Sequence, residues 1–320
     1  MSKLSVIICT HNPRPDYLRQ TLDALKDQTL PCEQWELLLV DNSSKELLSG
    51  KWDLSWHPNG RHIRENELGL TPARLRGISE SQGEIFVFVD DDNVLNPNYL
   101  EKAFSIVQDK PFLGAFNGSI KGIFEIEPPK WIQDFVGLMC VGEVKGDRWG
   151  YGPLLSARSF APCGAGMVIR ADVAKHYAES VHSSIERGRL DRTGKNFISA
   201  GDADMAMCAC KLGYSVGRLE ILRLDHLIPA QRLTKEYILK LVEGLAYSDE
   251  WLHFIWNGVT TYPPSLPGKI EKLFQPYHYW RRKCKLSADL FEYFHFKEMA
   301  KASEVSGILA AQNEIRDLQG

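Results

Sequence analysis

The chain has 320 residues, which at ~150 residues per domain fits two domains or one large α/β domain with an appendage. Its 44% apolar and 25% charged residues, and 38 Lys and Arg against 41 Asp and Glu for a formal charge of −3, exclude disordered and collagen-like chains and argue against a nucleic-acid partner. Seven scattered cysteines without a C-x-x-C pair argue against a disulfide framework and a zinc cage, and fit a reducing compartment. No secretory h-region and no run of ~18 uncharged apolar residues is present, so the chain reads as cytoplasmic, with peripheral contact at a membrane face left open.

Leu4 to Cys9 is a continuous apolar, β-branched run ended by Thr10-His11-Asn12-Pro13, the pattern of a parallel strand buried on both faces. From Asp16 the apolar residues Tyr17, Leu18, Leu22 and Leu25 recur at helical spacing, and Trp35 to Val40 predicts a second buried strand running into Asp41-Asn42-Ser43-Ser44. Ala73 to Ser81 predicts a helix, and Ile85 to Val89 a third strand that stops at Asp90-Asp91-Asp92-Asn93. Strands that alternate with helices imply a mostly parallel sheet flanked by helices. Further short strands are expected at Leu113 to Ile120, Ile123 to Glu127 and Met167 to Arg170, with an irregular, lid-like stretch from Phe135 to Pro162 between them. Asp202 opens a helix that Gly213 closes, and Tyr214 to Asp225 is strand-like before His226. After Thr234 the pattern is mainly helical, interrupted at Tyr262 to Gly268. The expected division is residues 1–232 as an α/β domain and 233–320 as a C-terminal helical extension.

In open α/β sheets the ligand crevice lies beyond the carboxyl ends of the strands, where His11, Asp41 and Asp90 to Asp92 all fall. Packed carboxylates repel one another, so the triplet after a buried strand points to a bound cation; oxygen ligands suit Mg²⁺ or Mn²⁺, which often bridge to substrate phosphates. Read without that context, the triplet is a solvated acidic turn.

The order of these motifs resembles the family 2 glycosyltransferases of the GT-A fold, from about Ser5 to His226. The resemblance implies a nucleotide-sugar donor, a divalent metal and inversion at the transferred carbon. On that match, Thr10 and His11 line the nucleotide, His11 standing where the family usually has Tyr. Asp41 meets the nucleobase edge, Arg74 in Ala73-Arg74-Leu75-Arg76-Gly77 contacts the nucleotide, and Asp91 touches the ribose or supports the ion. Asp92 and His226 become metal ligands, the imidazole favouring Mn²⁺ over Mg²⁺. Gly201-Asp202-Ala203-Asp204 matches the family's helix-start carboxylates, with Asp202 as general base and Gly201 in place of the usual Glu; Asp204 is a candidate substitute for that Glu.

A base is required because a hydroxyl is a poor nucleophile, and no covalent intermediate is needed for single displacement. The expected acceptor is a saccharide or lipid-linked saccharide, in a setting of polysaccharide assembly. Arg232 is a candidate phosphate contact, and Trp131 and Trp149 are candidates for stacking on sugar rings or for core packing. Phe274 to Lys285 sets aromatics beside basic residues, which suits an anionic lipid surface or a solvated helical face, and the helical tail offers a surface for self-association into a homo-oligomer. Two other readings remain: a nucleotidyltransferase, although no Gly- and Lys-rich phosphate loop follows the first strand, and a catalytically degenerate sugar-binding protein on the same fold.

Overall fold

The computed structural model describes residues 3–153, 158–194, 196–261, 283 and 288–319. The strands are β1 (Leu4–Thr10), β2 (Trp35–Asn42), β3 (Gly60–Glu65), β4 (Ile85–Val89), β5 (Asn93–Leu95), β6 (Leu113–Phe124), β7 (Arg148–Gly150), β8 (Val168–Arg170) and β9 (Ser215–Ile228). The helices are α1 (Pro15–Lys26), α2 (Leu70–Glu80), α3 (Tyr99–Asp109), α4 (Ala171–His182), the single turn α5 (Ile185–Gly188), α6 (Gly201–Lys211), α7 (Lys235–Asn257) and α8 (Ala288–Gln319).

All nine described strands form one sheet in the order β3-β2-β1-β4-β8-β6-β9-β5, with β7 on β9. Six of them, β1 to β4, β6 and β9, run one way, while β8, β5 and β7 run antiparallel to their neighbours. The chain passes from Val89 at the end of β4 to Asn93 at the start of β5, two strands four places apart in the sheet. Four chain steps reach at most ~14 Å, whereas four flat strand spacings need ~19 Å. The sheet therefore curls, and the link that its curl closes over is Asp90-Asp91-Asp92.

Strand alternation divides the core into two layers. Val6, Ile8, Leu37, Leu39, Val87 and Val89 meet Leu18, Leu22 and Leu25 of α1 and the buried face of α3. Ile7, Leu38, Val40, Phe86 and Phe88 face the other way, onto α2, α4 and α6. Each fully buried Leu in these layers contributes ~2 kcal/mol of transfer free energy. Helix α2 lies close to β1 because residue 77 is glycine, where a Cβ would come within 2.5 Å of Ile7 Cγ2.

Helices α7 and α8 pack side by side in the same direction: Ser306 bonds Glu243, Gln312 bonds Glu250 and Tyr247 bonds Glu314. Ile132, Phe135 and Met139 form a third apolar cluster with Ile238, Leu241 and Phe296, while Trp251 and Ile315 join the core on the α6 side of the sheet.

Several expectations change in detail. The two strands expected between Leu113 and Glu127 are one strand with a bulge at Gly118/Ser119. The stretch expected to be irregular begins in 3₁₀ turns over Lys130–Met139 and contains β7. Strand β3, of mixed polarity, and the short strand β5 carried no periodicity in the sequence. The break at Tyr262 to Gly268 lies outside the described residues, as does all of the basic-aromatic segment Phe274 to Lys285 except Lys283. Among the described residues no helix is long and apolar enough to cross a membrane.

Candidate active site

The carboxyl ends of β1, β2 and β4, parallel neighbours in the sheet, lie side by side where the sequence places the ligand crevice. Parallel register sets Thr10 opposite Asp41 and Asp41 opposite Arg64. Asp41 is buried and held on three sides: Ser44 N–H donates at 3.0 Å, Leu48 N–H at 3.3 Å and the Arg64 guanidinium at 2.6 Å. Burial works against its charge, but these bonds hold its pKa below the usual carboxylate value. His11 is exposed at the mouth, its Nδ1 2.7 Å from the Asn42 carbonyl and its Nε2 2.6 Å from the Asn12 side chain. Asn12 and Ser43 adopt left-handed backbone (φ 47° and 54°), a conformation Asn tolerates, and this brings the two strand ends together.

Antiparallel pairing of β5 with β9 sets Asn93 opposite His226, which carries Asp92 to the same place; the Asp92 carbonyl accepts from Leu227 N–H at 2.8 Å. Asp92 Oδ2 lies 3.4 Å from His226 Nε2 and 3.2 Å from Arg232. Its Oδ1 accepts from the Asn93 amide at 3.0 Å. Asp91 accepts a hydrogen bond from Thr10. Burial first, then the neighbouring charge of Asp92, pushes the Asp91 carboxyl up to about 7, and the same two causes raise Asp90. For Asp92 burial is outweighed by His226 and Arg232, which hold it low, and Asp92 in turn raises His226 against the effect of burial.

His226 Nδ1 is 3.1 Å from the Met139 carbonyl, an acceptor, so Nδ1 carries the proton and Nε2 is the nitrogen aimed at Asp92. In that tautomer the Nε2 lone pair faces Arg232 Nη1 at 3.2 Å, a donor, as well as the Asp92 carboxylate. Arg232 bridges His226 and Asp92 in this structure, and a carbonyl behind the far nitrogen is the usual support for a ligating histidine. The donor set thus fits a divalent cation bound by one carboxylate and one imidazole, with the remaining positions open. Among the described residues no group of three or more His, Cys, Asp or Glu side chains is arranged to hold a metal ion.

Asp202 begins α6 half-buried. Its Oδ2 accepts from Gly164 N–H at 2.7 Å and its Oδ1 from Ala203 N–H at 2.8 Å, which fixes the carboxylate while leaving it reachable from the crevice. Arg74 sits behind it, its side chain only 6% exposed, and pairs through Nη1 with Asp191 at 2.8 Å. Burial opposes the Arg74 charge, but Asp191, then Asp202 and Asp90, raise its pKa and keep it cationic. Arg76, the alternative two residues on, is an exposed partner of Glu80.

Asp204 does not substitute for the missing Glu. It is fully buried on the opposite side of α6, bonded to Arg187 at 2.6 Å and Trp256 at 2.7 Å, because it lies two helical positions from Asp202 and so faces elsewhere. The carboxylate beside residue 201 is Asp191, whose loop position gave no sequence signal. Trp131 packs edge-on against Phe296 with ring centres 4.6 Å apart, and the half-exposed Trp149 packs on Phe112 at 5.5 Å. Both rings have protein partners.

Residues 5–162 match the profile described as Glycosyl transferase family 2. The chain is 29% identical over 107 residues to glycosyltransferase AglE of Haloferax volcanii, a stretch covering 32% of this chain and 35% of that protein. It is 26% identical over 112 residues to the poly(ribitol-phosphate) beta-N-acetylglucosaminyltransferase TarS of Staphylococcus aureus, covering 34% of this chain and 19% of TarS. The match spans 35, 40 and 45% of the lengths of three such curated relatives, less than half of each. The fold is similar to crystal structures of S. aureus TarS: TM-score 0.52 at 18% identity over 98% of this chain and 91% of that one, and 0.51 at 17% identity for the complex with UDP-GlcNAc, over 98% and 92%. At such identity the likeness is one of fold, a curled GT-A sheet flanked by helices.

Proposed function

We propose that this chain, whose residues 5–162 match the profile of glycosyl transferase family 2, is an inverting glycosyltransferase, moving a sugar from a nucleoside-diphosphate donor to a hydroxyl of a saccharide or lipid-linked saccharide. The observation that carries this reading is the bend Asp90 to Asp92. The curl of the sheet sets it against His226 and Arg232 on one side, and Arg74, which feels both Asp90 and Asp202, links it to the candidate base. UDP is the first nucleotide to test, because the similar TarS fold has been crystallised with UDP and with UDP-GlcNAc; GDP is the second.

Asp92 and His226 would hold Mn²⁺ or Mg²⁺, which supplies Lewis-acid neutralisation of a departing diphosphate. Arg232, 3.2 Å from Asp92, adds a fixed positive charge on the same side. Thr10, His11, Asp41, Arg74 and Asp91 would receive the nucleotide. Asp202, oriented by Gly164 and Ala203, takes the acceptor hydroxyl proton as the new C–O bond forms; the nucleoside diphosphate leaves with the electron pair of the bond that breaks. Attack opposite the leaving group inverts the carbon.

Calorimetric titration of UDP, GDP, CDP and dTDP with Mn²⁺, repeated in EDTA, tests the reading. One nucleotide is expected to bind selectively and to lose most of its affinity on metal removal. Asp202→Asn is expected to keep that affinity while lowering nucleotide release from the matching nucleotide sugar, with saccharide acceptors present, by ~10²–10⁴. Binding of none of the four overturns the assignment.

A further inference from the structure

The contacts around Gly201 point to a positioning residue that the motif order does not contain. A Cβ built at Gly201 would lie 2.2 Å from Asp191 Oδ2, 2.4 Å from its Cγ and 2.7 Å from its Oδ1, so the Asp191 carboxylate fills the volume where a side chain at 201 would start. That carboxylate is 2% exposed and accepts from Arg74 Nη1 at 2.8 Å and Thr71 Oγ1 at 3.0 Å, both on α2. The neighbouring backbone is tied down as well: Leu190 O accepts from Ala200 and Gly201 N–H, and Arg192 O from Leu70 N–H. On the far side of the guanidinium, Arg74 Nη2 lies 2.7 Å from the point a Gly164 Cβ would occupy, and Asp202 Oδ2 lies 3.6 Å from that same point. Arg74 is therefore clamped at one end by Asp191 and turns its other end to the Gly164 loop and Asp202.

We propose that Asp191 is the positioning residue of this site: it aims Arg74 into the crevice beside Asp202, and Gly201 is the space it needs. The two residues act as one device, in which the carboxylate that a longer side chain at 201 would deliver from the start of α6 comes instead from the loop before it. A guanidinium is planar, so fixing Nη1 also fixes where Nη2 points. Loss of Asp191 leaves a buried cation free to rotate onto Asp202, which would spoil both donor contact and base. This role rests on the transferase reading above.

A charge-transplant cycle tests it, using Asp191→Ala, Gly201→Glu and the double variant in the full chain. Each single change is expected to lower Tm by about 10 °C, the first by stripping a buried arginine of its partner and the second by forcing two carboxylates into one space. The double variant is expected to recover most of the loss, because the new Glu enters the vacated space and meets Arg74. Affinity for the nucleotide that wild type selects, UDP with Mn²⁺ first, is measured where every variant is folded. It is expected to fall at least tenfold in Asp191→Ala and to return in the double variant.

If the two losses add in Tm, the exchange of carboxylates is wrong. If Tm recovers and nucleotide affinity does not, or if affinity is untouched in folded Asp191→Ala, Asp191 is structural only and the proposal falls. Wild type that binds no nucleotide overturns the transferase reading and this role with it, while normal wild-type binding beside an additive cycle overturns this role alone.

Discussion

Asp41, Asp191 and Asp204 each face one arginine from another segment, Arg64 at 2.6 Å, Arg74 at 2.8 Å and Arg187 at 2.6 Å. Asp90, Asp91 and Asp92 share a single bend whose ion pairs, with Arg232 and His226, both fall on Asp92; among the described residues neither Asp90 nor Asp91 is ion-paired. Both sets are buried or nearly so, and the solvation cost of a buried carboxylate is the same chemistry in both. The difference is that the fold closes each carboxylate of the first set on its own arginine and leaves the bend with surplus negative charge. Such surplus lowers stability, and it is relieved when a cation binds.

The comparison breaks most readily at the closed pairs. Arg187→Met keeps the stem of the side chain and removes the charge that faces Asp204, whose Oδ2 already has no hydrogen-bond partner. Removing one partner of a buried pair costs ~3–5 kcal/mol, or about 10 °C in Tm for a domain of this size, and thermal denaturation is the readout. Nucleotide affinity is expected to survive at low temperature, since Arg187 does not reach the crevice. At the bend the sign reverses. Asp91→Asn removes a carboxyl that burial and Asp92 make costly to ionise and keeps an acceptor for Thr10, so it is expected to raise the metal-free Tm by ~2–4 °C while weakening the Mn²⁺-dependent increment in nucleotide binding. A fall in Tm like that of Arg187→Met would erase the distinction between the two sets.

How much of this could be read from sequence follows from what sets each feature. The buried strands β1, β2 and β4 declare themselves because both faces are apolar, and their polar ends locate the crevice through the geometry of parallel sheets. The approach of Asp92 to His226, 134 positions later, was suggested by motif order, but the device that creates it is the curl of the sheet between β4 and β5, and no local pattern encodes that. Asp191 was invisible for a related reason. An isolated Asp in a loop looks like a turn former, and its role appears only once α2, α6 and that loop converge. Asp204 misled because sequence proximity to Asp202 is not spatial proximity on a helix, where neighbours two apart point to different faces.

A third buried group sharpens the comparison because it stays uncharged. His57, 3% exposed beside the edge strand β3, packs edge-on against Trp35 at 4.1 Å between ring centres and against Trp56 at 5.4 Å. Its Nδ1 accepts from Asn59 N–H at 3.1 Å, and its Nε2 has no partner. Burial lowers its pKa to about 4 from 6.5, so the folded state binds fewer protons than the unfolded chain between those values. Stability is therefore expected to fall as pH drops from 6.5 toward 4, by ~1 kcal/mol at pH 5.5, because burial outweighs the pull of Glu33 and Glu36 on the incoming proton, whereas Asp92 outweighs burial at His226. His57→Asn keeps an acceptor for Asn59 and cannot titrate. Chemical denaturation at pH 7.5 and 5.5 should show the acid loss in wild type and a loss smaller by about that amount in the variant, whatever the variant's absolute stability. An identical pH slope in both would assign the acid sensitivity to the carboxylate network instead.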